Sequence, residues 1–452
     1  MLMSEGNRPK WSGSLGFVLA AAGSAVGLGN IWKFPYITGM NGGGAFVLVY
    51  LICIALVGVP VLLAELYIGK VGQANAVHAY EKVHKEKSFW RLPGVLGLIS
   101  AFVILSFYSV IGGWILNFEW CSLLNEFGTR PEAEIKSMLS DLFEDPTRQI
   151  FLHLIFMLLT MSIVLGGVQK GIEKWTKLLM PGLVLILIGL LIYSLFLPGF
   201  GQAAEFLFLP DFSKLSWDGL LEAVGHSFFT LSVAVGVMVT FGSYLNKDDN
   251  LPKMGFSIAL IDTVLALTAG LVIFTAVFSY GIEVNTGPTL IFQTLPLLFG
   301  KMPGGYFIAV TFFLLIAFTA LTSTISILEV VVAYCTETFK TKRRITTIMV
   351  SLAAFSLGIL SDLSTNVLSN IKIVGLNFFD FFDKLTSSLF LPLSGLLTSI
   401  FLGWILGPEA VNEIIKDSGF EKYKWILLLC IRVIVPISVS IILFMGLDWI
   451  WA

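Results

Sequence analysis

Charge is scarce in this chain. Only 13% of its 452 residues are Asp, Glu, Lys or Arg, about half the share of an average soluble domain. The 28 basic and 30 acidic residues leave a net charge of −2, which excludes the basic footprint of a nucleic-acid binder. Cysteine is rarer still: Cys53, Cys121, Cys335 and Cys430 are scattered and form no CxxC. A disulfide scaffold and a thiolate zinc or redox pair are thereby excluded. No G-x-x-x-x-G-K-[ST] is present, because the Gly-Lys pairs at Gly69 and Gly300 continue into Val71 and Met302. ATP is therefore not the expected energy source. Long polar stretches are missing too. The segment 123–149 is a short acidic excursion and 69–92 a basic loop, so whatever the protein does is done in its apolar part.

That part is large. Hydrophobic residues make up 56% of the chain, about 250 side chains, and with about 20 needed per span they supply ten to twelve transmembrane helices. Eleven apolar windows fall at 13–36, 43–68, 93–122, 150–168, 174–198, 217–245, 254–283, 305–337, 345–361, 374–406 and 425–450. Buried strands of about 4 to 8 residues are too short to explain them, so an all-α polytopic membrane protein with eleven transmembrane helices is expected. With the amino terminus inside, the inner segments hold 19 Lys and Arg and the outer ones 6. This bias predicts a cytoplasmic N-terminus and an extracellular C-terminus. A cleaved leader over the first window is not expected, since that window continues through Trp32, Phe34 and Pro35.

Two windows read poorly as helices. The first contains AGSAVGLGNIWKFP at 22–35, with Gly23, Gly27 and Gly29 close together, and each glycine costs about 1 kcal/mol relative to alanine. Taken alone, Gly23 and Gly27 also suit close helix packing. The sixth window has a comparable interruption, FFTLSVAVGVM at 228–238. Paired interruptions in windows 1 and 6 are the mark of two inverted five-helix repeats, 13–198 and 217–406, followed here by a further helix at 425–450. At such breaks, free carbonyls face cations and free amides face anions.

At this point the chain strongly resembles the neurotransmitter:sodium symporter family, and in particular its bacterial eleven-span members that carry hydrophobic amino acids. The resemblance rests on RPKW at 8–11, AVGLGNIWKFP at 25–35, NGGGAF at 41–46, GVP at 58–60 with Glu65 after it, FFTLS at 228–232 and LTSTIS at 321–326. It implies the LeuT-type 5+5 inverted repeat with discontinuous helices 1 and 6, and a sodium-coupled symporter that imports hydrophobic L-amino acids by alternating access. It also implies a multi-pass protein of the bacterial plasma membrane whose partners are the substrate and the bilayer, with no obligate protein partner.

Two sodium ions are implied. One would be held by Gly23, Val26, Thr319, Thr322 and Ser323, the last three spaced i, i+3 and i+4 on one helix face. The other would lie among Ala25, Asn30, Thr230 and Asp262, with the substrate carboxylate as a further ligand. Asp262 is embedded in SIALIDTVLALTAG, where an acid must neutralise or meet a cation. Chloride-dependent relatives carry a neutral Asn there, so chloride-independent transport is expected.

By the same resemblance, the substrate carboxylate meets amides at Ala25, Leu28 and Gly29 and the Tyr108 hydroxyl. Its amino group meets Ala25, Phe229, Thr230 and Ser232. Its side chain meets Leu28, Ile104, Tyr108, Phe229, Val235, Ser326 and Ile327. Lys33 and Asp383 make the outer gate, and Arg8 with Glu337, supported by Trp11 and Tyr244, the inner one. Lysine lacks the planar fork of arginine, so no tight bidentate outer bridge is expected. Gly171 and Pro181 bracket a stretch that either unwinds or is an ordinary proline kink; Glu65 is expected to bond the loosened sixth helix, with proton carriage as the alternative, and His226 to be a satisfied polar residue near a vestibule. A non-transporting amino-acid sensor is the alternative. An enzyme is not expected, because the spans hold no metal-ligand cluster and no nucleophile paired with a base.

Overall fold

The computed structural model describes residues 8–84, 89–281, 290–416 and 418–447, and they are almost entirely helical. Helices satisfy every backbone group within the segment, as a bilayer demands. We label the principal helices α1 (Ser14–Ala25), α2 (Gly29–Met40), α3 (Gly44–Gly72), α4 (Phe89–Leu123), α5 (Pro146–Leu165), α6 (Val168–Ser194), α7 (Trp217–Thr230), α8 (Val237–Gly242), α9 (Leu251–Ser279), α10 (Gly305–Thr338), α11 (Arg343–Leu363), α12 (Phe378–Ile415) and α13 (Glu421–Met445). Among the described residues nine of these are long and apolar enough to cross a membrane. The pair α1 and α2, bent by 48°, makes a tenth. The sixth expected window is the pair α7 and α8, neither long enough alone. The ends of the seventh and eleventh windows, 282–283 and 448–450, lie outside the described residues.

Some boundaries differ from expectation. The first window runs on to Met40, because Pro35 sits in the first turn of a new α-helical stretch, where it lacks no needed donor. The tenth begins at Phe378 rather than 374. Ile373 and Leu376 close a tight turn through paired backbone bonds, and the Asn377 side chain then accepts from the Asp380 amide as a helix cap.

α4 lies at the centre, against α5, α10 and α11, and α1 packs on α6, α9 and α10. Between α7 and α8 the chain takes left-handed backbone at Ser232 (φ 51°), Ala234 (φ 66°) and Gly236 (φ 80°). Such geometry costs an ordinary residue roughly 1–2 kcal/mol and must be held by its surroundings. Glu65 of α3, fully buried, accepts a hydrogen bond from the Ala234 amide at 2.5 Å, the role expected of it. Glu65→Leu would leave that amide buried without an acceptor, at a cost of about 1–3 kcal/mol. We expect a lower melting temperature for Glu65→Leu and near-native melting for Glu65→Gln; equal melting of the leucine variant and wild type would refute this role.

Candidate substrate and ion site

The two breaks touch each other directly, and α4 and α10 supply side chains beside them. At Val26 the backbone leaves the helix (ψ 88°), freeing the Ser24 carbonyl, which accepts from the hydroxyls of Ser232 at 2.8 Å and Ser323 at 3.2 Å. The Leu28 amide donates to the Tyr108 hydroxyl at 3.0 Å, and the Gly27 amide to Asn30 Oδ1 at 3.0 Å. A Cβ at Gly27 would stand 2.7 Å from Ser323 Oγ and 3.1 Å from the Tyr108 hydroxyl, so only glycine permits this approach.

Part of the set expected around the first cation is brought together. A Cβ at Gly23 of α1 would meet Thr322 Cβ of α10 at 3.5 Å, and the Ser323 hydroxyl reaches Ser24 O at 3.2 Å, while Val26 and Thr319 are fully buried. Thr319 and Thr322 donate their hydroxyl protons to their own helix, to Ile316 O at 2.7 Å and Thr319 O at 3.0 Å. Their oxygen lone pairs stay available, so the donor set is neutral oxygen, which suits a hard monovalent cation.

The second set centres on Asp262 of α9, fully buried. Its carboxylate accepts from Asn30 Nδ2 at 2.8 Å and from the Thr230 hydroxyl at 3.0 Å on each oxygen. These partners are neutral, so the buried charge is incompletely compensated and favours a cation beside Ala25 and Asn30.

Three cavities stack above these oxygens. The outermost, about 530 Å³, has Lys33, Glu222, His226, Phe229 and Asp383 among its walls. A middle one of about 250 Å³ adds Leu28, Tyr108 and Asp380. The innermost, about 40 Å³, is lined by Ala25, Gly29, Ile104, Tyr108, Phe229, Ser232, Val235 and Ile327 among others. Phe229 borders all three, so its ring is the partition between vestibule and pocket. Ser326, expected on the pocket wall, lies behind it: it is fully buried and its hydroxyl donates to Thr322 O at 3.0 Å. Thr230 is likewise turned away, toward Asp262.

The two pairs expected as gates differ. The ion pairs among the described residues do not include Lys33 with Asp383. The Lys33 ammonium instead sits over the Phe229 ring, 5.1 Å from its centroid, with both charged residues lining the vestibule. On the other side Arg8 pairs with Glu337 at 2.6 Å, bonds Ser243 Oγ at 2.8 Å and lies over the Tyr244 ring at 5.1 Å. Trp11 is buried there and donates to Phe241 O at 3.0 Å. Lys33 thus rests on an aromatic ring, whereas Arg8 is paired with Glu337. Arg8 and Glu337 are partly exposed, 15% and 22%, so the pair contributes about 1 kcal/mol or less. We expect Arg8→Ala to shift the balance toward opening on that side by up to about fivefold, read as distance distributions between spin labels; an unchanged distribution would argue against a latch.

The stretch from Gly171 to Pro181 is wound throughout, as a π-helical run Val168–Glu173 followed directly by Lys174–Ser194. Glu173 there bonds the Ser12 amide at 3.0 Å and hydroxyl, and Lys177 Nζ at 2.6 Å. His226 borders the vestibule as expected but is not satisfied: neither ring nitrogen has a partner among the described residues. It is wedged between Phe34 and Tyr50, with ring centroids at 6.1 and 5.3 Å.

Two polar groupings were not foreseen. Buried Glu329 pairs with Arg343 and accepts from the Tyr244 hydroxyl at 2.8 Å. His153 bridges Ser109 at 2.8 Å and Asp362 at 2.7 Å. An ionisable side chain inside an apolar run, as in ISILEVVVAY and in FLHLIFMLL, is the signal that marks both.

Comparison with known proteins agrees with this geometry. The sequence profile described as "Sodium:neurotransmitter symporter family" matches residues 8–131 and 132–449. The chain is 40% identical over 444 residues to an uncharacterised sodium-dependent transporter, YhdH, of Bacillus subtilis (strain 168), covering 97% of this chain and 98% of that protein. It is 31% identical over 461 residues to a sodium-dependent transporter of Methanocaldococcus jannaschii, covering 98% and 91%. The crystal structure of MhsT in complex with L-phenylalanine superposes with a TM-score of 0.89 at 42% identity, covering 97% of this chain and all of that one. The protein is a multi-pass membrane protein, not an enzyme, with discontinuous helices at its two central breaks, and it belongs to the sodium:neurotransmitter symporter family.

Proposed function

We propose that the protein is a sodium-coupled symporter of hydrophobic L-amino acids, independent of chloride, and that it binds its substrate below Phe229 between the two helix breaks. The observation that carries this reading is the pairing of an uncharged, apolar pocket with a buried carboxylate, Asp262, whose protein partners are all neutral. A crystallised relative, MhsT, holds L-phenylalanine. The pocket offers no acid or base, so charged side chains would be desolvated without compensation.

Two sodium ions complete the reading, one among Gly23, Val26, Thr319, Thr322 and Ser323, the other among Ala25, Asn30, Thr230 and Asp262. The substrate carboxylate completes the second shell, so sodium and amino acid raise each other's affinity by the same factor. Asp262 supplies the negative charge that makes chloride unnecessary. The inverted repeats are 13–198 and 217–406, with 425–450 added, and the Arg8–Glu337 latch faces the cytoplasm. That orientation is supported by the 19 to 6 distribution of Lys and Arg. Closure follows from the parts: Lys33 and Asp383 approach over Phe229, after which the inner latch opens and the Gly171–Pro181 stretch unwinds to hydrate the first sodium. Complete ion and substrate sets with two gates favour a transporter over a sensor.

The test is ligand-induced stabilisation of the purified protein. L-phenylalanine is expected to raise the melting temperature in sodium chloride and equally in sodium gluconate, but not in potassium chloride. Stabilisation that needs chloride, or that persists in potassium, would overturn the reading.

A further inference from the structure

Helix α4 carries two opposed sets of side chains. At 100° per residue, Ile104, Tyr108 and Ile111 share one face, and these line the innermost and middle cavities. Ser106, Ser109 and Gly113 fall on the opposite face, which packs against α5 and α11. On that back face His153 of α5 bridges Ser109 Oγ at 2.8 Å and Asp362 Oδ2 of α11 at 2.7 Å. The His153 and Asp362 side chains are both fully buried. Close backbone approach surrounds the bridge. A Cβ at Gly113 would come within 2.8 Å of His153 N, and one at Gly358 within 2.4 Å of Ser106 O and 2.5 Å of His153 Cε1.

We propose that the Ser109–His153–Asp362 bridge sets the rotation of α4, and that His153 and Asp362 are thereby positioning residues for the substrate. The inference rests on the pocket assignment above. The Tyr108 hydroxyl lies at the end of a long side chain, so a small rotation of α4 displaces it by about 1 Å, an error that can cost up to about 100-fold where geometry is critical. At present that hydroxyl meets the Leu28 amide at 3.0 Å, and the back-face bridge, anchored at the residue after Tyr108, resists rotation there together with the Trp114–Gln149 bond further along α4. A buried imidazole fixed between a hydroxyl and a carboxylate has one ring orientation available, whereas apolar packing alone would tolerate slippage.

The test is a double-mutant cycle in the full-length protein, using phenylalanine binding measured by scintillation proximity with saturating sodium. H153Q and D362N are expected to weaken phenylalanine binding about tenfold, with S109A smaller at two- to threefold. Y108F should weaken it on its own. In the Y108F background, H153Q is expected to add less than twofold, because the hydroxyl it positions is gone. Additive effects of H153Q and Y108F, or phenylalanine affinity unchanged in H153Q while only melting falls, would overturn the proposal. S109A keeps it testable if H153Q does not fold. Absence of phenylalanine binding by the wild type would instead defeat the pocket assignment.

Discussion

Replacing Asp262 with alanine is expected to weaken sodium-dependent amino-acid binding by about 100-fold or more. Two unit charges 4 Å apart interact by about 4 kcal/mol at an effective dielectric of 20, and this carboxylate is fully buried with neutral donors around it. Removing it takes away the protein carboxylate that would offset a cation beside Asn30, leaving only that of the substrate. Thr230 also loses its acceptor and Asn30 keeps only the Asp262 carbonyl, so both breaks loosen. Asp262→Asn keeps much of the hydrogen bonding and removes only the charge. We expect its sodium affinity to recover partly in chloride and not in gluconate, since a mobile anion can then occupy the vacated role. Sodium titrations of phenylalanine binding in the two salts measure this. Wild-type sodium affinity in Asp262→Ala would be incompatible with the proposed site.

A second large effect is expected from Val235→Phe. Val235 is nearly fully buried, lines the innermost cavity opposite Ile104 and Ile327, and belongs to the linker held by Glu65. The backbone there is pinned, so an added ring projects into the pocket instead of displacing the chain. Overpacking costs up to about 3 kcal/mol, equivalent to about 100-fold in affinity. We expect that loss for phenylalanine and tryptophan, with alanine and valine changed only a few-fold. Competition binding with these four amino acids separates the outcomes. Parallel losses for large and small substrates would show that Val235 supports the fold and does not bound the side chain.

The legible part of the molecule was the part written in apolar length and glycine punctuation. Windows of 17 to 33 residues gave the helices, and the clusters at 22–35 and 228–238 gave the breaks, because closely spaced glycines and hydroxyl residues weaken a helix interior. The Arg8–Glu337 contact and the Glu65 bond were also foreseen, from the resemblance carried by RPKW at 8–11 and by GVP at 58–60 with Glu65 after it. Three features were not legible. Ser326 shares the helix face of Thr322 and Ser323 by spacing, but its rotamer turns back to Thr322 O and takes it off the wall. His226 looked like a residue with partners, and only the packed rings of Phe34 and Tyr50 deny them. The bridge from Ser109 through His153 to Asp362 joins positions up to 253 residues apart, and periodicity carries no information about which helices meet.

The state of the gates was equally beyond the sequence. A protein that must open on each side in turn encodes both closed arrangements at once, and the contacts of one conformation do not follow from composition. Lys33 resting on Phe229 rather than on Asp383 is therefore a property of the state, while the residues that make up the gate belong to the chain.

The most direct test of sodium-coupled uptake is transport of radiolabelled L-phenylalanine into proteoliposomes containing the purified protein. An inward sodium gradient is expected to drive accumulation above equilibrium, with no loss when chloride is replaced by gluconate. Collapsing the gradient with a sodium ionophore should release the label to its equilibrium level. Accumulation that is indifferent to sodium, or binding without any uptake, would contradict the account.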